Sequence, residues 1–275
     1  MVKRFARIYP LYFVILLIVA LSGTEVSVIN LTLTQAYFPS ALFSGLPTAW
    51  TLTVEESFYL IAPLVFFLCV RSRYPYLTLI AIVIAMFIIG HIQIVRGVWT
   101  LHFMSIYTIF GRLVDFATGI GFALLYRYLK PRRNLSALVI LSGVTVLLLQ
   151  MAFAIKFSRT EIFVGLPYMW MLSLTSGVLI FTLASDTSFV ARAMSWQPFV
   201  YAGRVSYAVY LIHLMPPIQA FYSRHLLPLG PVATVLLYLL TTVLSICAYE
   251  LIEKPMRGWI VGLFSRRSIA VEAVG

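Results

Sequence analysis

With 275 residues, 61% of them hydrophobic and only 11% charged, and a mean hydropathy of +0.97, the chain is too apolar for a soluble domain. Lipid must solvate the surplus apolar surface, which specifies an integral membrane protein. The net charge of +11 does not indicate a nucleic-acid binder, because the basic residues fall between apolar runs and not on one soluble face.

A bilayer-spanning helix needs about 20 mostly apolar residues. Eight runs approach that length: 8–22, 54–70, 76–95, 103–126, 135–155, 162–184, 205–221 and 231–252. The first is short unless Phe5 and the aliphatic stems of Arg4 and Arg7 fill the interface. With the N-terminus inside, the inner segments hold 15 basic residues: Lys3, Arg4, Arg7, Arg71, Arg73, Arg127, Lys130, Arg132, Arg133, Arg192, Arg204, Lys254, Arg257, Arg266 and Arg267. The outer segments hold 4, namely Arg96, Lys156, Arg159 and Arg224, and Arg112 within a span completes the 20. This bias puts both termini in the cytoplasm. The expected fold is all-α: a polytopic transmembrane helical bundle of about eight spans, one domain over 1–275, in a cell membrane. Cys69 and Cys247 lie in apolar runs and read as small core residues, and no spacing suits a metal. The first run lacks a small-residue cleavage pattern, so no cleavable signal peptide is expected.

In chain order, the first polar feature is KRFAR, where Arg4 and Arg7 stand one helical turn apart. Anchoring the topology suffices to explain them, although paired arginines also suit phosphate oxygens. In TAWTLTVEESFYLIAP, Glu55 and Glu56 open an apolar run. A cap from Thr51 or Thr53, with the positive end of the helix dipole, accommodates one carboxylate at the outer interface. Adjacent glutamates point about 100° apart, so one can face the bundle. Thr51, Glu55 and Tyr59 share a stripe, which favours Glu55.

Arg112 and Asp115 follow in GRLVDFATGIG, three residues apart, as a self-satisfied pair or an arginine held for an anionic ligand. In GRVSYAVYLIHLMPP, Ser206, Tyr210 and His213 form one polar stripe, with Tyr207 beside it. At ~1.5 Å per residue from Arg204, His213 lies about 13 Å deep. It is either a hydrogen-bonded core histidine or a catalytic one. The loop over 23–53 carries Tyr37, Phe38 and Trp50, aromatic rings that suit stacking on sugar.

TAWTLTVEESFYLIAPL, GRLVDFATGIG, YAGRVSYAVYLIHLMPP and YELIEKP, in this order, resemble the acyltransferase-3 family of integral membrane acyltransferases; KRFARIYPLYF resembles the basic start of that family's third span. The resemblance implies transfer of an acyl group, commonly acetyl, from a cytoplasmic acyl-CoA co-substrate to a carbohydrate or lipid-linked glycan acceptor, with no bound cofactor. A bacterial inner membrane follows from that role. Arg4 and Arg7 match the arginine-x-x-arginine motif of donor handling, and Glu55 matches the glutamate of the tryptophan motif that Trp50 opens. On this reading Glu55, His213 and Arg112 carry catalysis, and Arg4, Arg7, Trp50, Tyr59, Asp115, Ser206, Tyr207 and Tyr210 bind substrate. Family members usually have ten spans, the first carrying a histidine that the family is thought to need for catalysis, and no residue of this chain matches it. This chain starts at the basic motif, as a truncated product, a displaced start or one piece of a split enzyme would. An inactive remnant, or a transporter or flippase, are the competing readings.

Overall fold

The computed structural model describes residues 2–129, 134–157 and 162–272; Lys130, Arg132, Arg133 and Arg159 of the charge count lie outside them. Among the described residues there are thirteen α-helices and no β-strand. They are α1 (Val2–Leu21), α2 (Val28–Leu31), α3 (Trp50–Arg71), α4 (Pro75–Val95), α5 (Leu101–Tyr107), α6 (Ile109–Leu129), α7 (Ser136–Phe157), α8 (Ile162–Ser185), α9 (Phe189–Met194), α10 (Gln197–Ile212), α11 (Pro216–Phe221), α12 (Pro231–Ala248) and α13 (Lys254–Glu272). Among the described residues, five stretches are long and apolar enough to cross a membrane: Val2–Leu21, Pro47–Arg71, Pro75–Val95, Leu101–Leu129 and Pro231–Phe264. Two shorter apolar helices, Ser136–Ala152 and Met169–Ser185, fall in two further expected spans. The all-α membrane fold is as the composition predicts.

The chain divides into two compact units, residues 1–53 with 201–275, and residues 54–200. In the first, α1 buries Ala6, Leu11, Tyr12, Ile15, Leu16 and Val19, one stripe at helical spacing. This helix packs on α13 and on the π-helical turn Tyr249–Glu253. The Tyr12 hydroxyl donates to the Asn30 carbonyl at 2.6 Å, tying the following loop to the helix. Asn30 is fully buried and organises that loop: its amide donates to Gln35 Oε1 at 3.2 Å and to the Ser44 carbonyl at 3.0 Å, while its Oδ1 accepts from the Ser27 N–H. Gly45 is needed beside it, since its φ is +61° and a Cβ would meet the Asn30 side chain at about 3.1 Å. The sequence reading treated this segment only as a carrier of aromatic rings; it is an ordered polar knot.

In the second unit, α6 packs on α4 and α8, and α7 packs on α8. The Phe58 and Phe116 rings stack with centroids 4.0 Å apart, joining α3 to α6. Gly177 leaves room on α8 for the Phe122 ring, which a Cβ would overlap. At the α7 start, Asp186 accepts from the Leu135 N–H at 2.9 Å and the Ser188 N–H at 3.0 Å, and from the Ser188 hydroxyl.

Two of the expected spans are broken. The run 103–126 splits at Thr108, whose extended backbone (φ −116°, ψ 160°) separates α5 from α6. The run 205–221 ends as a helix at Ile212 and restarts at Pro216. Pro216 has no N–H to give and bars Met215 from the helical region, so the interruption is written in the sequence.

Candidate functional site

In the first unit, α10 carries three of the predicted side chains on its packed face. The Tyr207 hydroxyl donates to the Ile8 carbonyl at 2.8 Å, one residue from Arg7. The Tyr210 hydroxyl donates to the Thr48 carbonyl at 3.0 Å and lies 2.6 Å from the Thr51 hydroxyl. His213 closes the row, its ring centroid 5.7 Å from that of Tyr210. All three are half-buried. Ser206, expected on the same stripe, is exposed, and its hydroxyl turns back to the Gly203 carbonyl at 2.9 Å.

The helix break defines the chemistry of His213. Its Nδ1 lies 2.8 Å from the Tyr210 carbonyl and 3.2 Å from the Val209 carbonyl. Both neighbours are acceptors only, so Nδ1 carries a proton. The His213 carbonyl, which has no helical partner beyond the break, accepts from Gln219 Nε2 at 2.6 Å. The ring is thus fixed by the end of its own helix, with Nε2 on the side away from these carbonyls.

Arg4 is exposed and Arg7 half-buried on α1. Below them the π-helical turn carries Glu253, only 1% exposed, whose Oε2 has no hydrogen-bond partner among the described residues. The sequence reading quoted this glutamate without a role. Its burial was not legible there, because only a π-helical turn rotates it under α1.

In the second unit, the α5–α6 break sets Arg112. Its Nε donates to the Ile106 carbonyl at 2.9 Å, capping the end of α5, and its guanidinium donates to Asp115 Oδ2 at 3.0 Å. The Ser173 hydroxyl of α8 donates to Asp115 Oδ1. The pair is part-exposed, at 26% and 34%, and lines a cavity of about 350 Å³ together with Gly119, Ser173 and Ser176. Arg112 and Asp115 do pair across a turn, and Ser173 is the partner that sequence spacing had no means of finding. Gly111 makes the break possible, since a Cβ there would fall on the Ser105 backbone.

The account of the glutamates at the start of α3 needs correction. A 3₁₀ turn, Pro47–Ala49, feeds the helix, so Thr51 and Thr53 lie inside it and no acidic residue occupies its first turn. Thr51 bonds Tyr210 and the Thr48 carbonyl instead of capping. Glu55 and Glu56 are both half-buried, and Glu56 Oε1 has no solvent access, so burial is not confined to Glu55. Trp50 and Tyr59 are half-buried on the same helix. No group of three metal-ligating side chains occurs among the described residues.

Long apolar helices, with two of the expected spans interrupted and polar side chains at the interruptions, define a multi-pass membrane protein. Residues 1–250 match the acyltransferase-3 family, described as an acyltransferase domain, and the chain belongs to that family of membrane acyltransferases. A stretch of 106 residues is 33% identical to "Putative peptidoglycan O-acetyltransferase YrhL" of Bacillus subtilis (strain 168). The alignment takes in 36% of this chain and 16% of that protein, so the chain matches well under two thirds of its relative. No solved structure matches.

Proposed function

We propose that the chain moves an acetyl group from cytoplasmic acetyl-CoA to a carbohydrate hydroxyl of the bacterial cell surface, at the inner membrane. The observation that carries this reading is His213, held by its Nδ1–H on the Tyr210 carbonyl with Nε2 left basic. The acceptor hydroxyl gives its proton to Nε2 while its oxygen attacks the thioester carbonyl carbon. Collapse of the tetrahedral intermediate breaks the carbon–sulfur bond, and the thiolate leaving group takes the proton back from the imidazolium. Acetyl ester and free thiol result, so no other reactant is consumed.

Arg4 and Arg7, at the cytoplasmic end of α1, meet the donor phosphates. Tyr207 and Tyr210, tied to Ile8 and Thr48, hold α10 in place and supply polar contacts to substrate. Glu55 orients the acceptor hydroxyl, with Trp50, Tyr59 and Ser206 as further substrate contacts. Arg112, paired with Asp115 in the second unit, is a fixed cation suited to an anionic group of a ligand. The name of the Bacillus subtilis relative makes peptidoglycan the first acceptor to test.

In cells expressing the chain, the wild type raises the O-acetyl content of the cell-wall glycan and His213→Asn does not. Asparagine still donates to a backbone carbonyl but has no basic nitrogen. Equal acetylation by the two removes His213 as the base. A second reading, a transporter or flippase, draws on the interrupted helices, since such proteins build their sites from broken helices. It requires substrate flux with no acetylated product, which the same mass measurement detects.

A further inference from the structure

Four polar side chains of the second unit, Arg112, Asp115, Ser173 and Ser176, line the cavity of about 350 Å³ beside Met169 and Leu172. The first three form one chain of hydrogen bonds that runs from α8 through α6 to the end of α5. The Ser173 hydroxyl donates to Asp115 Oδ1, Arg112 donates to Asp115 Oδ2 at 3.0 Å, and Arg112 Nε donates to the Ile106 carbonyl at 2.9 Å. Side chains held in this way need little further ordering when a ligand binds. The ion pair is not sealed in the core either: its members keep 26% and 34% of their surface exposed. The charge bias puts Arg127 at the cytoplasmic end of α6, and Arg112 stands ~22 Å from it along the helix at ~1.5 Å per residue. In a hydrocarbon core about 30 Å thick, that is the outer half. The cavity therefore lies on the side from which a surface glycan arrives.

We infer that this cavity is a subsite for an acidic sugar of the acceptor glycan: Arg112 takes the sugar carboxylate, Asp115 and Ser176 take ring hydroxyls, and Ser173 is a positioning residue that holds Asp115 and, through it, the guanidinium. This rests on the reading that the acceptor is a surface glycan. Both oxygens of the Asp115 carboxylate already have donors, Ser173 on one and Arg112 on the other. A planar guanidinium can bridge two carboxylates, one from its own chain and one from a ligand. Removing the Ser173 hydroxyl takes the donor from Oδ1 and lets the carboxylate turn onto Arg112, which draws the guanidinium off the ligand.

The test is binding of two peptidoglycan fragments to the full chain in nanodiscs, one with free carboxyl groups and one with those groups converted to amides. Wild type is expected to bind the free acid about tenfold more tightly, the difference a charge-assisted hydrogen bond makes. Arg112→Gln binds the two alike. Ser173→Ala loses most of the preference for the acid and leaves binding of the amide unchanged, a selectivity that a merely structural role would not produce. Ser173→Thr, which keeps the hydroxyl, keeps the preference. Equal binding of both fragments by the wild type overturns the inference and leaves the glycan reading intact, and that comparison needs no variant to fold. A full preference in Arg112→Gln or in Ser173→Ala overturns it as well. Binding of neither fragment overturns the glycan reading and the inference with it.

Discussion

His213 shows how much chemistry a single side chain derives from its place at a helix end. In mid-helix the Tyr210 carbonyl would already hold an N–H four residues on; at the break it is open to Nδ1 and selects the tautomer. Replacing His213 with Asn keeps that bond and removes the proposed base, so kcat is expected to fall about 10²–10⁴-fold while the KM for acetyl-CoA changes little. A parallel loss in donor affinity and thermal stability would make His213 structural. The histidine was legible in the sequence as a polar residue at depth. Its orientation was not, because it depends on where the helix stops. Asp186 makes a second residue-scale prediction. Burial works to raise its carboxyl, but hydrogen bonds from the Ser188 hydroxyl and the Leu135 and Ser188 N–H groups outweigh that and hold it below the usual carboxylate range. A depressed value in the fold means its stabilising share is present at neutral pH and lost as the pH falls through the folded value. The difference in unfolding temperature between wild type and Asp186→Asn should be flat near neutrality and vanish in acid. A difference that grows on acidification contradicts this.

The breaks matter most among the elements. The α5–α6 break depends on Gly111, where any Cβ would strike the Ser105 backbone, and on Arg112, which covers the Ile106 carbonyl freed by the break. Gly111→Ala is therefore expected to cost about 3 kcal/mol, since the clash is with backbone that has no rotamer to change. Arg112→Lys loses the fork that binds Ile106 and Asp115 together and should cost about 1–3 kcal/mol. Both are measured by thermal unfolding in detergent, and a shift within error for Gly111→Ala would show that the break is not held by close packing. Apolar runs located the helices well, because hydrocarbon selects length and composition. Periodicity had nothing to say about Thr108: a threonine in an apolar run carries no breaking signal, and only the packing of α6 on α5 extends it. The Pro216–Pro217 pair did carry such a signal, which the length of the apolar run obscured. The capping role given to Thr51 failed for a similar reason, since the 3₁₀ turn upstream moved the helix start.

At the scale of the whole molecule, the count of 15 inner against 4 outer cations is a claim about topology. In a background with Cys69 and Cys247 replaced, Ser40→Cys should react with an impermeant maleimide in right-side-out vesicles, and Arg73→Cys only in inside-out ones. The reverse pattern would invert the orientation and place Arg4 and Arg7 away from the cytoplasmic face. Membership of the family was legible because its elements lie in four short stretches of fixed order, whereas the Asn30 knot depends on the path of an irregular loop and the Glu253 burial on packing between α1 and a turn near the other end of the chain. The central claim is that a thioester acyl group crosses to a sugar hydroxyl with His213 as the base. The most direct measurement gives acetyl-labelled acetyl-CoA and a peptidoglycan fragment to the full chain in nanodiscs and follows the label. Label should appear as ester on the fragment with wild type and be lost with His213→Asn; an unlabelled fragment, or equal labelling by both proteins, would contradict the account.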